Sequence, residues 1–571
     1  MSKGELIFTH IFSSKFGIKK QSINFSNNFK VTYLSDKLTI EKNKNEDKFF
    51  GEFVTNISLI IGKNGAGKSS ILQLITLDKN HRKKYLPNTV FFNIYHVKDN
   101  IYYFEGSLSL AKKVLNDREI NKEEFFFKIE KEQIIHMTEE KKYPPFITTV
   151  YQTLFPNISW SEKKKLNSSK AGFINKKYTN AIRIDKVINF MSTYLNHNSE
   201  FNAEFIFKQK QKYNSKPGEL MFLYQAESDS HNLSLLSDYS VGYQQFLEEF
   251  SFKTNDFQEH SASVYIRENQ DKIYSENVKE YFILRMLEKI YLSSLNNLEW
   301  STNDENYKPS KREILKEILE RKTIFGIGSL NGDLDELKYK IKYLISILDD
   351  FFDLGQTDSK LPLRELIEYI MQLPHERFEN SNQFVLSIDS FTTYEHELTS
   401  VIVEFFSNII DIKARHLSDG QYVYCSTFTQ IFEAVNEYTD HNLLLVLDEP
   451  DINMHPEWSR CFIDNILSLI PSFTNRKVQL IISTHSPFLV SDVPNSNVYQ
   501  IVGEGNNKKI NTVDKSFAAN IFDIISGGFY LEYPIGEFAR KKIESIKSKE
   551  SNIIDLIDDP FLAYVLTRGD V

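Results

Sequence analysis

A glycine-rich segment near the N-terminus constrains the fold of this chain more than any other feature. Residues 62–69 read GKNGAGKS; they follow the apolar run Ile57–Ile61 and precede the apolar helical pattern SSILQLITL. A glycine-rich turn between a buried strand and a helix aims successive backbone N–H groups at one point, where they can hold phosphate at the positive end of the helix dipole. The segment therefore predicts an α/β fold with a phosphate-binding loop.

The side chains of this loop have predicted roles in binding ATP with Mg²⁺. The glycines permit the tight backbone, Lys68 reaches the β- and γ-phosphates, and the Ser69 hydroxyl ligates the magnesium ion. The loop residues predicted to contact the nucleotide are Gly62, Lys63, Asn64, Gly65, Ala66, Gly67, Lys68, Ser69 and Ser70.

Two later segments supply acidic and histidine side chains. The apolar run Leu443–Leu447 leads directly into Asp448 and Glu449. Because neighbouring side chains of a strand point to opposite faces, we expect Asp448 to hold the metal and Glu449 to polarise the attacking water. His485 follows the apolar run Val478–Ile482, which predicts a histidine within reach of the γ-phosphate. The predicted catalytic residues are Lys68, Glu449 and His485.

A fourth segment, LSDGQ at Leu417–Gln421, precedes the helical pattern YVYCSTFTQIFEAV. Serine and glycine at the start of a helix form an anion site from the helix dipole and the first N–H groups. We therefore expect Ser418, Gly420 and Gln421 to contact ATP. The order of the four segments is typical of ATPases in which this site caps the γ-phosphate held by an opposite subunit, and it predicts an ATP-dependent dimer or larger oligomer.

Together the four segments resemble the ABC-type ATPase heads of the SMC, RecF and OLD group. The resemblance implies an α/β head, with a mixed sheet and an antiparallel β layer, that binds and hydrolyses ATP. It also implies that Asp451, in EPDINMHP, lies on the loop that crosses the dimer interface and contacts the nucleotide site. Asp419 departs from the pattern, since many such signatures have glycine there, and a carboxylate weakens an anion site unless it points away.

The C-terminal stretch resembles a narrower family. Its segments SFAANIFDIISGGFYLEYPIGEFARKKI and DLIDDPFLAYVL are similar to the tail of the PtuA ATPases of Septu-type and retron-linked anti-phage defence systems. In that family the ATPase works with a small HNH nuclease. The resemblance implies a sensor or regulator of a partner nuclease, with DNA, a phage component or a retron nucleic acid as further candidate partners.

The periodicity of the chain suggests four parts. Short alternating runs in Glu5–Phe53, together with Thr89–Tyr95 and Ile101–Phe104, predict strands. After Ala111, helical periodicity predicts helices in stretches such as VKEYFILRMLEKIYLSSL, REILKEILERK and LDELKYKIKYLISILDDFF. We expect an N-terminal half of the head at 1–110, a large, mainly helical insertion at 111–397, the C-terminal half of the head at 398–515, and a helical tail at 516–571.

Composition and spacing argue against several other classes. The chain has no apolar run long enough to cross a membrane, only two cysteines without zinc spacing, and a net charge of −9, so we expect a cytoplasmic protein with no membrane partner. Transporter subunits have their signature much closer to the phosphate loop. AAA+ motors have a nearer acidic strand and no LSxGQ segment.

No nuclease activity is predicted for this chain itself. An OLD-type nuclease needs a Toprim domain after the head, for which the stretch beyond His485 is too short, and the DxD at Asp333–Asp335 lies within a helical pattern. Two functions remain open. The first, which we favour, is an ATP-dependent regulator of a separate nuclease in defence. The second is a RecF- or SMC-like DNA-binding, ATP-gated clamp in DNA repair or recombination.

Overall fold

The computed structural model describes residues 4–43, 48–130, 133–137, 145–153, 173–178, 183–195, 201–210, 363–380, 382–437, 441–528, 536–544, 556–560 and 562–564, with parts of 278–290. The chain forms two compact units, one made of Met1–Ile182 with Tyr422–Val571 and the other of Arg183–Gln421. Each unit is a separate assembly of strands and helices.

The described strands, in chain order, are β1 (Glu5–Ser13), β2 (Lys19–Asn24), β3 (Phe29–Leu34), β4 (Lys37–Lys42), β5 (Val54–Gly62), β6 (Val90–Lys98), β7 (Ile101–Gly106), β8 (Glu124–Glu130), β9 (Gln133–His136), β10 (Ile147–Thr153), β11 (Ile174–Tyr178), β12 (Glu204–Gln209), β13 (Phe378–Asn380), β14 (Gln383–Ser387), β15 (Ile410–Arg415), β16 (Asn442–Asp448), β17 (Val478–Ser483), β18 (Val498–Val502) and β19 (Lys509–Thr512). The described α-helices are α1 (Lys68–Thr76), α2 (Lys79–Tyr85), α3 (Leu108–Leu115), α4 (Ile184–Tyr194), α5 (Leu363–Gln372), α6 (Thr393–Phe405), α7 (Asp419–Glu437), α8 (Pro456–Phe473), α9 (Pro487–Ser491), α10 (Ile521–Gly528) and α11 (Glu537–Glu544).

A seven-stranded sheet lies at the centre of the first unit, in the order β11-β10-β16-β17-β5-β18-β19. Its neighbouring strands are parallel except for the antiparallel pair β18 and β19. The continuous apolar runs of β5, β16 and β17 are buried, as is usual for parallel strands covered on both faces. Because parallel strands end at the same edge, β5, β16 and β17 bring the glycine-rich loop, the acidic pair and the histidine segment to one edge of the sheet.

The predicted antiparallel β layer is confirmed. It is a six-stranded sheet, β2-β1-β6-β7-β8-β9, accompanied by the β3–β4 hairpin. A side-chain amide links this layer to the central sheet: Gln479 of β17 donates to the carbonyls of Leu6 at 2.8 Å and Phe25 at 2.9 Å, and accepts from the Leu6 N–H at 3.0 Å. The Gln479 side chain therefore satisfies backbone groups that would otherwise be buried without a partner.

The unit boundaries differ from the expected division of the chain. Strands β8 to β11 lie within the stretch expected to be a helical insertion, yet β8 and β9 extend the antiparallel layer and β10 pairs with β16 of the central sheet. These segments are short and apolar, and local periodicity cannot tell which sheet such a segment joins. Strands β8 and β9 pair with their neighbours in the chain, whereas β10 pairs with the distant β16, so tertiary pairing is what assigns β10, and with it β11, to the central sheet.

The described part of the second unit is mixed rather than mainly helical. A four-stranded antiparallel sheet, β13-β14-β12-β15, accompanies helices α4, α5 and α6. Its core contains stacked rings of Phe207 and Phe384, whose centroids are 4.6 Å apart. The described residues between 278 and 290 are helical, in agreement with the first predicted helix of the insertion. The other predicted helices, REILKEILERK and LDELKYKIKYLISILDDFF, lie outside the described residues.

The C-terminal stretch begins with helical structure where the sequence predicted it. Helix α10 packs against α9, and α11 follows it in the chain. The rest of the predicted tail lies largely outside the described residues. In the part of the chain that is described, no helix combines the length and apolarity needed to cross a membrane.

A buried ionic cluster lies between the antiparallel layer and the far end of α1. The carboxylate of Glu105, on β7, accepts from Arg82 Nη2 at 2.7 Å, from the Lys176 ammonium, from Asn93 Nδ2 at 3.1 Å and from the Tyr95 hydroxyl at 3.1 Å. Burial alone would raise the pKa of Glu105, but the charges of Arg82 and Lys176 outweigh it and lower the pKa to about 2. The carboxylate is therefore held ionised within the protein.

Both cations of this cluster also bind the C-terminal end of α1. Arg82 donates to the carbonyl of Leu74 at 3.2 Å, and Lys176 donates to those of Ile75 at 3.2 Å and Leu77 at 3.0 Å. Carbonyls at a helix C-terminus lack helical partners and attract cations. The cluster therefore anchors the helix whose other end follows the glycine-rich loop.

Candidate functional site

The glycine-rich loop has the backbone geometry expected of an anion site. Gly67 is the N-cap of α1 and has a φ of 110°, in the left-handed region. A β-carbon at this position would lie 3.1 Å from the ring of Phe16, so a larger residue would strain the backbone and require the ring to shift. No side chain caps the start of α1 and no acidic residue lies in its first turn. The first N–H groups of the helix are thus suited to bind phosphate.

Lys68 is the centre of a cluster that contains the three predicted catalytic residues. Its side chain is buried, and Nζ donates to His485 Nε2 at 2.5 Å and to the Gly62 carbonyl at 3.3 Å, with Glu449 Oε1 at 3.5 Å. Burial lowers the pKa of Lys68, and the negative charges of Glu449 and Asp448 partly oppose this. The structure thus brings Lys68, Glu449 and His485 within contact distance of one another.

The predicted metal ligands also lie together. Asp448 Oδ1 accepts from Ser69 Oγ at 3.2 Å and from Ser483 Oγ at 2.5 Å, and Asp448 Oδ2 accepts from the Tyr151 hydroxyl at 2.7 Å. A hydroxyl and a carboxylate held this close fit Mg²⁺, which prefers oxygen ligands together with substrate phosphates. When bound, the ion would neutralise charge on the phosphates. Tyr151 and Ser483 orient the carboxylate for that role.

The separation of the two acidic side chains has a different cause from the one expected. Strand β16 ends at Asp448, and Glu449 has a φ of 52°, so it already lies in a turn with left-handed backbone. Its N–H donates to the carbonyl of Ser483 at 3.0 Å and to Ser483 Oγ at 3.1 Å. The turn, not the alternation of side chains along a strand, directs Glu449 toward Lys68 while Asp448 faces Ser69. For a residue other than glycine such a conformation is costly and requires support from the surrounding structure.

The surroundings of His485 favour the neutral form of its ring. Burial lowers its pKa, the adjacent charge of Lys68 lowers it further, and Glu449 partly opposes both effects. A neutral ring can accept the hydrogen bond from Lys68 at Nε2. Nε2 also lies 3.4 Å from Glu449 Oε1. The histidine and the glutamate therefore line the same space beside the lysine.

Asp451 lies in the loop after the acidic pair and is held within its own chain. Thr484 Oγ1 donates to Asp451 Oδ1 at 3.0 Å, which ties this loop to the segment that carries His485. Burial raises the pKa of Asp451, and the hydrogen bond from Thr484 partly offsets the increase. The contact couples the position of the loop that contains Asp451 to that of the segment that carries His485.

The signature residues belong to the second unit, where they form an N-terminal capping box. The Ser418 N–H donates to Gln421 Oε1 at 2.8 Å, and the Gln421 N–H donates to Ser418 Oγ at 3.3 Å. This reciprocal pair fixes the start of α7, with Ser418 exposed and Gly420 in the first turn. Asp419 is exposed in the same turn, where the helix dipole favours a carboxylate.

The strand before the signature is anchored by an ion pair. Arg415 donates to both carboxylate oxygens of Glu379, at 2.6 and 3.0 Å, and lies 3.4 Å from Glu204. A bidentate pair of this kind holds the guanidinium in one orientation. The ion pair therefore positions the end of β15, from which the LSDGQ segment continues.

Three residues near the phosphate loop were not predicted from the sequence: Tyr151, Phe16 and Lys508. Tyr151 was missed because its strand was assigned to the insertion, although the β-branched run before it, Ile147–Val150, is a strand signal that could have found it. Its neighbour Gln152 points elsewhere, with its amide 3.5 Å from the carbonyl of Thr427. Lys508 lies beyond all four motifs and carries no local signal.

Comparison with known proteins agrees with this geometry. The family model described as AAA ATPase domain (AAA_15) matches residues 17–490. Protein ea59 of Escherichia phage lambda is 24% identical over 242 residues, which cover 41% of this chain and 43% of that protein. The chain thus spans less than half the length of this curated relative. A family match over most of the chain, on a sheet that brings the loop, the acidic pair and the histidine together, shows that this chain belongs to the AAA ATPase domain family.

Proposed function

We propose that this ATPase is an ABC-type head whose ATP is enclosed between two copies of the chain. The observation that carries the proposal is the ordered, exposed start of α7, where the capping box presents Ser418 and Gly420 at a helix N-terminus. In the proposed dimer this helix start faces the γ-phosphate held by Lys68 of the other copy. The LSDGQ segment is the feature that favours an ABC-type head within the wider family.

The residues of one copy have separate roles in the proposed hydrolysis. The loop N–H groups and Lys68 hold the β- and γ-phosphates, while Ser69 and Asp448 are the ligands for magnesium. Glu449 orients and polarises the attacking water. A neutral His485 can hydrogen-bond the water or the γ-phosphate without adding charge. Asp451 lies on the loop that is proposed to cross the dimer interface.

A Glu449→Gln variant is expected to form a dimer or larger species in the presence of ATP and Mg²⁺. Blocking hydrolysis preserves the nucleotide that joins the two copies, so the complex should persist through gel filtration. Light scattering measures the mass, which is 66.8 kDa for one chain. Ser418→Arg in the same background should remain monomeric while its Kd for ATP is unchanged, because Ser418 is proposed to contact only the partner's nucleotide.

Asn436→Arg provides the matched control, since Asn436 is exposed near the other end of α7. In the Glu449→Gln background, Asn436→Arg should form the same ATP-dependent dimer as Glu449→Gln alone. A Glu449→Gln chain that binds ATP and stays monomeric would contradict the proposed dimer. An Asn436→Arg chain that behaves like Ser418→Arg would show that the loss of dimer is not specific to the signature.

We further propose that the ATP state of this head regulates a partner nuclease in anti-phage defence. The support is the resemblance of the C-terminal stretch to the PtuA ATPases, which work with an HNH protein. A ligand shifts an equilibrium only through its different affinities for two states. The partner would accordingly be held or released according to whether the head is open or closed on ATP.

Purified alone, the chain is expected to leave plasmid DNA and RNA uncut in the presence of Mg²⁺ or Mn²⁺. In a separate experiment, a tagged chain is expected to co-purify with the product of the adjacent gene. Cleavage assays with and without that product, using wild type and Lys68→Ala, measure whether ATP binding controls the partner. Robust cleavage by the lone chain would contradict the proposal. ATP-dependent retention of DNA by the lone chain, with no partner recovered, would instead favour the RecF- or SMC-like clamp.

A further inference from the structure

The hairpin between β18 and β19 reaches the glycine-rich loop from the C-terminal part of the chain. Lys508, its last residue before β19, donates from Nζ to the carbonyl of Gly65 at 2.9 Å and to that of Ala66 at 3.0 Å. Both carbonyls belong to the tip of the phosphate loop. A single ammonium therefore binds two consecutive peptide groups of the loop.

The hairpin is held in this position by a close backbone approach. The Lys508 N–H donates to the carbonyl of Gly17 at 3.1 Å, and Ile18 forms a parallel bridge with Lys508. A β-carbon on Gly17 would lie 1.9 Å from the carbonyl oxygen of Gly505, so the two segments can meet only because residue 17 is glycine. The backbone thus places Lys508 beside the loop independently of its side chain.

The two hydrogen bonds determine which way the loop presents its donors. In a trans peptide the carbonyl and the following N–H point in opposite directions. With the Ala66 carbonyl directed at Lys508, the Gly67 N–H must point away from it. The Ala66 N–H is already bound within the loop, to the carbonyl of Lys63 at 3.1 Å. The Gly67 N–H at the start of α1 is therefore oriented by a contact outside the motif.

We propose that Lys508 is a positioning residue for the triphosphate, acting through the carbonyls of Gly65 and Ala66. It keeps these two carbonyls directed away from the phosphates, and its positive charge offsets their partial negative charge. The proposal deepens the ATP-binding role of the loop and rests on it. Lys508 lies outside the residues 17–490 matched by the family.

Lys508→Met tests the proposal, because methionine keeps much of the apolar stem and removes the ammonium. The Kd for ATP, measured by titration calorimetry, is expected to rise about tenfold, in line with the loss of hydrogen bonds from a charged donor. The turnover number at saturating ATP should change less than about twofold, since Lys508 touches no reacting atom. Lys508→Arg should recover most of the affinity.

Lys509→Met is the matched control. It makes the same chemical change at the neighbouring residue, which is exposed on β19. Its Kd for ATP should equal that of the wild type. The thermal midpoint of each variant separates a local effect from unfolding; if Lys508→Met unfolds, Lys508→Gln, which also removes the charge, takes its place in the comparison with wild type. An unchanged Kd in folded Lys508→Met, or a loss confined to turnover, would overturn the proposal. Failure of wild type to bind ATP would instead refute the underlying function.

Discussion

Replacing Glu449 by glutamine is expected to lower the rate of ATP hydrolysis by about 10²–10⁴-fold while ATP binding is retained. Glutamine has nearly the same size but cannot accept a proton from the attacking water. The turn at Glu449 is held through its own backbone N–H by Ser483, so the substitution should leave the geometry unchanged. Phosphate release and ATP titration measure the two effects separately.

Two further variants show whether the slower hydrolysis is specific to Glu449. Lys68→Ala should lose both binding and hydrolysis, since its ammonium is the buried cation of the site. Glu457→Gln makes the same chemical change at an exposed position of α8, where the carboxylate pairs with Arg460, and should behave as wild type. Near-normal hydrolysis by Glu449→Gln would show that another group polarises the water, with His485 as the next candidate to replace.

Glu105→Gln is expected to destabilise the first unit by about 3–5 kcal/mol, the range found when one partner of a buried ion pair is removed. The variant leaves the buried Arg82 and Lys176 with only the weaker attraction of Glu124 to compensate their charge. Because the same two cations bind the carbonyls at the end of α1, the loss should weaken the anchoring of that helix too. Urea unfolding followed by circular dichroism measures the free energy of unfolding.

The pH dependence of this effect has a definite sign. The pKa of Glu105 is lowered from its ordinary value of 4.5 to about 2, so the ionised carboxylate contributes its stability in full above about pH 5. That contribution is lost as the pH falls through the folded-state value. The difference in stability between wild type and Glu105→Gln should therefore shrink between about pH 4.5 and pH 2.

Glu123→Gln is the control for burial, because Glu123 pairs with Lys79 near the surface. Such pairs contribute less than about 1 kcal/mol. Adding Lys176→Met to Glu105→Gln should recover part of the lost stability, since it removes one of the two buried cations. A Glu105→Gln variant as stable as wild type would mean that the cluster does not support the fold.

The central sheet and its phosphate loop could be predicted because their signals are local. The run Ile57–Ile61, the glycines after it and the helix pattern beyond lie within one short stretch, and backbone chemistry alone links such a stretch to phosphate binding. The acidic pair and the histidine segment are equally local, and parallel strands bring their ends to one edge. The division of the chain was not predictable in this way, because β10 pairs with β16 across about half of the sequence.

The sequence by itself determined which chemical groups gather at the candidate ATP site: the loop glycines, Lys68, Ser69, the acidic pair and His485. Only the tertiary structure decided how they are oriented. The left-handed turn at Glu449 depends on Ser483 from a neighbouring strand, the orientation of Asp448 depends on Tyr151, and the tip of the loop is held by Lys508. The physical reason is that a motif specifies donors and charges over a few residues, whereas their directions are set by hydrogen bonds from residues on other strands and loops, far outside the motif.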